Sequence, residues 1–243
     1  MPKFFVDEPI GETITLSGQT AAHIAKSLRM KAGEEVVLCD GKGYDYACII
    51  ESVAKDAVHL KLAFKTASES EPAVFAEIYQ GLPKGDKFGE VVRKCTELGV
   101  SAFHPVVMKR SVLKLDEKAA AKRVERFQKI AAEAAGQARR GIVPTVYPVE
   151  NYETALEKNT CEKTVLFYEN GGEKLQTLLR AYRENGVKSI ALIIGPEGGF
   201  EESEVAFAKS LGAEVATLGK RILRTETAPV AAAANVFYEL DKF

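Results

Sequence analysis

The hydrophobic rhythm of the chain changes near residue 70. Before that point, apolar positions come in short runs between turns. Glu12 to Leu16 alternates polar and apolar residues, and Glu35 to Cys39, Tyr44 to Val53 and Ala57 to Phe64 read as three further strands. Phe4-Phe5-Val6 reads as an edge strand, and Asp40-Gly41-Lys42-Gly43 as a tight turn. Residues 19–29 are expected to form one helix, with Ile24 and Leu28 on a shared face and Gly33 as the stop. A short, strand-rich stretch punctuated by turns implies a compact barrel.

Thr66-Ala67-Ser68-Glu69-Ser70-Glu71-Pro72 is polar, ends in proline and reads as a linker. The expected domains are therefore residues 1–71 and 72–243. After the linker, strands alternate with helices. The strands fall at 74–80, 102–107, 164–168, 189–194 and 214–218. The helices fall at 86–98, 116–139, 173–185, 201–211 and from about Thr227 to Tyr238. This alternation predicts an α/β domain with a mostly parallel sheet, helices on both faces, and a site beyond the carboxyl ends of the strands.

Charge sharpens that expectation. The formal net charge of -1 hides a segregation. Residues 1–71 carry 8 basic and 11 acidic side chains, residues 84–114 carry 7 and 3, residues 118–140 carry 7 and 2, and residues 141–217 carry 7 and 12. Positive charge is thus concentrated in one central stretch where a polyanion can dock. Cys39, Cys48, Cys95 and Cys161 form no CxxC pair, and the three histidines are scattered, so no metal site is expected. No run approaches a membrane span, and the N-terminus lacks a signal peptide's apolar stretch. The expected location is the cytoplasm, without membrane association.

Two loops carry candidate chemistry. Leu192-Ile193-Ile194 ends in Gly195-Pro196-Glu197-Gly198-Gly199-Phe200, where glycines let backbone approach a ligand. The spacing fits neither GxGxxG nor a P-loop, which disfavours a phosphate site. Leu218-Gly219 leads into a basic stretch, Lys220-Arg221-Ile222-Leu223-Arg224, then Thr225-Glu226-Thr227-Ala228-Pro229 and a helix of small residues. Charged Arg224 and Glu226 beside apolar Ile222 and Leu223 suggest a pocket wall. Glu133 and Gln137 share a helix face, with Arg140 one turn on; Gln137 and Arg140 can reach base edges or phosphate, or belong to an ordinary salt-bridged face.

These motifs, taken together, resemble the 16S ribosomal RNA uridine N3-methyltransferase family of the SPOUT superfamily. The resemblance covers essentially the whole chain. It rests on His23 with Leu28-Arg29, Asp40-Gly41, Leu82-Pro83-Lys84-Gly85-Asp86-Lys87, Lys94-Cys95-Thr96-Glu97-Leu98-Gly99-Val100, and Pro105 with Lys109-Arg110-Ser111. It continues in Glu133-Ala134-Ala135 with Gln137 and Arg140, in 195–200 and in 218–228. Lys109 stands where many relatives carry Glu. The family implies a PUA-like β-barrel followed by an α/β domain with a deep trefoil knot, and a homodimer. It implies S-adenosylmethionine bound by Leu166, Tyr168, Glu169, Ile194, Gly195, Pro196, Glu197, Gly198, Gly199, Leu218, Gly219, Ile222, Leu223 and Thr225. The implied substrate is 16S ribosomal RNA within the assembled small subunit, not DNA. Candidate RNA contacts are His23, Arg29, Lys84, Lys87, Lys94, Arg110, Gln137 and Arg140. Other ribosomal or transfer RNAs, or a non-catalytic assembly role, are the competing readings.

Methyl transfer to a uridine N3 needs alignment and removal of the N3 proton. Arg224 is the best-placed cation by sequence for charge developing on uracil oxygens, with Arg110 and Arg140 as alternatives. Glu226 is expected either to accept the proton or to pair with Arg221 or Arg224.

Overall fold

The computed structural model describes residues 1–6, 9–111 and 116–241. Lys114, one of the cations counted above, lies outside them. The chain divides into two compact units, residues 1–71 with 139–143, and residues 72–138 with 144–243.

The first unit is a five-stranded sheet with β1 (Lys3–Phe5), β2 (Thr13–Ser17), β3 (Glu35–Cys39), β4 (Tyr44–Val53) and β5 (Ala57–Ala67) in the order β1-β3-β4-β5-β2. β1 and β2 are its two edges, so the sheet is a curled half-barrel and not a closed barrel. Alternation works as the sequence implies: Ile14 and Leu16 of β2 turn inward onto Val36, Leu38, Ile50 and Leu60. The helix expected over 19–29 breaks in two. α1 (Gly18–Ala22) passes into a π-helical turn, His23–Ser27, closed by Leu28 N–H donating to His23 C=O. The wider turn rotates Leu28 off the face of Ile24, leaving Ile24 fully buried and Leu28 44% exposed.

The expected linker is firmly held. β5 runs through its first two residues, and Ser68 Oγ donates to Asp45. Glu71 accepts from the Arg140 guanidinium at 2.6 Å and from the backbone N–H groups of Gly141 and Ile142. This carboxylate holds residues 140–142, just past the expected end of the long helix at Arg139, in the first unit.

The second unit is an eight-stranded, all-parallel sheet: β6 (Phe75–Gly81), β7 (Ala102–Val107), β8 (Thr145–Val146), β9 (Glu150–Asn151), β10 (Lys163–Phe167), β11 (Glu173–Lys174), β12 (Ser189–Ile194) and β13 (Glu214–Thr217). The order is β11-β13-β10-β12-β6-β7-β8, with β9 also on β7. β6 and β12 divide their side chains between two apolar layers. Ala76, Ile78, Ile190, Leu192 and Ile194 meet α2 (Lys87–Leu98), α3 (Glu117–Gln137), α5 (Leu175–Glu184) and α7 (Ala228–Leu240). Tyr79, Ala191 and Ile193 meet α4 (Tyr152–Glu157) and α6 (Glu202–Ser210). Strands covered on both faces read as continuous apolar runs, as Ile190 to Ile194 does.

Local signals explain the helix ends. Asp116 accepts from Ala119 N–H at 2.7 Å and caps α3, a contact worth about 1 kcal/mol. Gly99, at φ +113°, closes α2 in the left-handed region. The small residues of α7 serve packing within the subunit, where Ala232 and Ala233 are fully buried.

Candidate functional site

Three adjacent strands, β13, β10 and β12, end at one edge of the sheet, and their carboxyl-terminal loops enclose a cleft of about 430 Å³. Residues 167–169, 194–200 and 217–225, with Ala228, line it. Of the residues expected to hold a cofactor, Tyr168, Glu169, Ile194 to Gly199, Leu218, Gly219, Ile222, Leu223 and Thr225 are all there. Leu166 is not. It is fully buried in β10 between Ile193 and Val215, because strand alternation turns its side chain into the α4–α6 layer. Phe167, Lys220 and Arg221, within the expected loops, also line the cleft, as does Thr217 just before them.

The glycine turn is tied down from three sides. At its base, fully buried Gln80 at the end of β6 donates from Nε2 to Thr225 Oγ1 at 2.8 Å and to the Gly195 carbonyl at 3.2 Å. The Thr225 hydroxyl donates to the same carbonyl at 2.8 Å. Thr225 therefore pins the C-terminal loop to the turn and does not cap α7. Gly81 lets the turn sit directly on β6: a Cβ there would lie 2.5 Å from Pro196 Cδ and 2.6 Å from Met108 Sδ. Gln80 and Gly81 escaped the sequence reading. Their signal was a glutamine at the end of an apolar strand, followed at once by glycine.

On one flank, Glu197 accepts from Lys84 N–H at 3.1 Å and pairs with Lys87 Nζ at 2.9 Å. Burial alone would raise the Glu197 carboxyl; the Lys87 ammonium and the nearby backbone N–H groups outweigh it and hold it below the ordinary range. Lys87 also lies 3.6 Å from Glu226, so Glu226 pairs with neither Arg221 nor Arg224 as expected, but with a lysine of the Leu82–Lys87 motif. On the other flank, Arg110 Nε donates to Glu201 at 2.7 Å and its Nη1 to the Gly198 carbonyl at 3.1 Å. The hydrogen bond to Glu201 raises the arginine's pKa, and the same contact lowers that of Glu201. Buried Glu204 accepts from Lys109 N–H and Glu201 N–H, which fixes the strand-β7 exit on the start of α6.

The remaining candidates are scattered. Arg224 lines the cleft, exposed, and among the described residues its guanidinium forms no ion pair. Arg140 is buried on Glu71 in the first unit and lines no part of the cleft, because desolvating a guanidinium requires a matched carboxylate. Lys94 is exposed beside Glu90, and Gln137 is exposed as the last residue of α3. His23 and Arg29 are exposed in the first unit; His23 stands edge-on to Phe4, and Arg29 has φ +54°. Among the described residues no helix is long and apolar enough to cross a membrane.

A family model described as RNA methyltransferase domain matches residues 70–236, and one described as RNA methyltransferase PUA domain matches residues 16–63. The ribosomal RNA small subunit methyltransferase E of Bacillus subtilis is 35% identical, over 99% of this chain and 98% of its own. That of Synechocystis is 32% identical, over 95% of this chain and 74% of its own. The crystal structure of a ribosomal RNA small subunit methyltransferase E from Neisseria gonorrhoeae bound to S-adenosyl methionine superposes with a TM-score of 0.84 at 32% identity, covering 97% of this chain and 96% of that one. A putative methyltransferase from Legionella pneumophila, in complex with the bound cofactor SAM, gives 0.80 at 26%, covering 96% of each chain. Matched along nearly its whole length, with a PUA-like half-barrel and a SPOUT-type parallel sheet, the chain belongs to the ribosomal RNA small subunit methyltransferase E family of RNA methyltransferases.

Proposed function

We propose that this methyltransferase binds S-adenosylmethionine in the three-loop cleft and methylates N3 of one uridine of 16S ribosomal RNA in the assembled small subunit, as a homodimer. The observation that carries the reading is the convergence of three strand-end loops on one cleft, pinned through the Gly195 carbonyl by Gln80 and Thr225. The residues fit the cofactor. A cleft of about 430 Å³ is within the range for a ligand of that size, of order 300–1,000 Å³. Its wall combines apolar Ile194, Leu218 and Leu223 with a glycine turn whose backbone can be approached closely. The family fold implies a trefoil knot in the segment carrying these loops; an experimental structure with an unknotted C-terminal chain would overturn that part.

The bound cofactor supplies an activated methyl group, so the protein's task is alignment and charge. Arg224, exposed on the cleft wall without an ion-pair partner among the described residues, faces the uracil oxygens as N3 gives up its proton. Glu226 Oε2 is buried 3.6 Å from the Lys87 ammonium. Glu169, exposed on the cleft and free of an ion pair among the described residues, is the carboxylate placed to accept that proton. Arg110 holds the glycine turn through Gly198 and acts as a positioning residue.

Mass spectrometry of ribosomal RNA from a strain lacking the protein tests the substrate: the N3-methyluridine of 16S RNA should vanish and return on complementation. An unchanged signal refutes the assignment. Calorimetry with S-adenosylmethionine tests the cofactor, and light scattering tests the dimer. Such a substrate goes with a cytoplasmic enzyme.

A further inference from the structure

Five cations of the central stretch are already paired with carboxylates, and those exposed there without an ion pair among the described residues, such as Lys84, Arg93 and Arg139, line no part of the cleft. Lys87 is shared by Glu197 and Glu226, Arg110 pairs with Glu201, Lys94 with Glu90, Arg126 with Asp86 and Arg140 with Glu71. A phosphate reaching any of these competes with a carboxylate already in place. Lys220 and Arg221 differ. Both are exposed on the cleft loop that follows β13, and among the described residues neither forms an ion pair. Gly219, at φ +111°, turns the chain sharply at this point. Between them and Arg224 stands Ile222, 87% exposed, an apolar surface that a ribose or base can cover. Two unpaired cations, an uncovered apolar side chain and a free arginine thus follow one another along one side of the cleft.

We propose that Lys220 and Arg221 grip the phosphodiesters flanking the target nucleotide, fixing the RNA backbone over the cleft while Arg224 meets the base. The proposal rests on the reading of the cleft as the methyl-transfer site, and names the backbone contact that reading lacks. Phosphate contacts set affinity and register, so their loss appears in the salt dependence of binding.

The experiment compares the wild-type protein with a Lys220→Gln/Arg221→Gln double variant, using purified small ribosomal subunits at several salt concentrations. The expected result is a plot of log affinity against log salt that is shallower by about 1.4 to 1.8, at 0.7 to 0.9 per lost contact. KM for subunits should rise, while the dissociation constant for S-adenosylmethionine stays within about twofold of wild type. Lys188→Gln is the charge control. Lys188 is exposed just before β12, at the opposite end of the strands from the cleft, and its replacement should leave the slope unchanged. An unchanged slope and KM in the double variant overturns the proposal. So does weakened cofactor binding large enough to account for the whole defect, which would make these side chains cofactor ligands. Failure of the wild-type protein to methylate small subunits overturns the functional reading instead, and shows before any variant is compared.

Discussion

Gly81→Ala isolates what the close approach of β6 to the glycine turn contributes. Gly81 does not use the left-handed region, so its substitution carries no backbone penalty of that kind. The added Cβ would stand 2.5 Å from Pro196 Cδ, 2.6 Å from Pro196 N and 2.6 Å from Met108 Sδ. Met108 can swing aside, but Pro196 is backbone, rigid in φ, and anchored by the hydrogen bonds on the Gly195 carbonyl. The turn must therefore shift. Overpacking of this kind costs about 1–3 kcal/mol. If the strain falls on the cleft, the dissociation constant for S-adenosylmethionine rises roughly 5- to 150-fold, at 1.4 kcal/mol per tenfold. Gly85→Ala is the comparison: its φ of +69° strains a side chain, but nothing lies within 4 Å of the new Cβ. It should cost about 1 kcal/mol of stability and leave cofactor affinity alone. Urea unfolding and calorimetry on both variants decide the matter. Wild-type affinity and stability in Gly81→Ala would refute the claim that the turn rests on β6.

Arg224→Ala should lower turnover on small subunits by about 10²- to 10³-fold with little change in cofactor affinity, because its contact forms as charge develops; normal turnover removes Arg224 from that role. Glu169→Gln should lower kcat more than it raises KM, and an unaltered pH-rate profile would dismiss it as proton acceptor. Glu197 is held below its ordinary carboxylate value of 4.5, so its contribution is complete above that pH and fades as pH falls through the lower folded value. The stability difference between wild type and Glu197→Gln should accordingly shrink on acidification, and a difference that grows would contradict the assignment. Glu71→Ala, which removes a carboxylate paired with the buried Arg140 and the acceptor of the Gly141 and Ile142 N–H groups, should destabilise the first unit by about 3–5 kcal/mol in urea titrations.

Long periodic elements were legible in the sequence. β3, β4, β7 and β12 fall on their expected residues, and α2 and α3 begin within a residue of their expected starts. The elements that were missed are short. β8, β9 and β11 have two residues each and α4 has six, too few for a period to show. The π-helical turn after α1 was invisible for a different reason. Ile24 and Leu28 satisfy an α-helical spacing on paper, and only the His23-to-Leu28 hydrogen bond reveals that the turn is wider.

The site was legible where chemistry is carried by backbone. Glycine spacing and apolar strand ends located two of the three loops without reference to any relative, because a turn's need for glycine is local. Side-chain roles were less legible, since a charge is defined by its partner and partners lie far apart in sequence. Lys87 and Glu197 are 110 residues apart, and Arg140 and Glu71 are 69 apart. Counting cations along the chain put Lys87 and Arg140 in the RNA-contacting pool; the structure shows Lys87 paired with Glu197 of the glycine turn and Arg140 buried on Glu71. The same counting passed over Lys220 and Arg221, which sit in a short basic run outside the central stretch. Net positive charge and available positive charge are different quantities here. The central stretch keeps exposed cations without an ion pair among the described residues, such as Arg93, Lys118 and Lys122, but the unpaired cations that line the cleft are Lys220, Arg221 and Arg224.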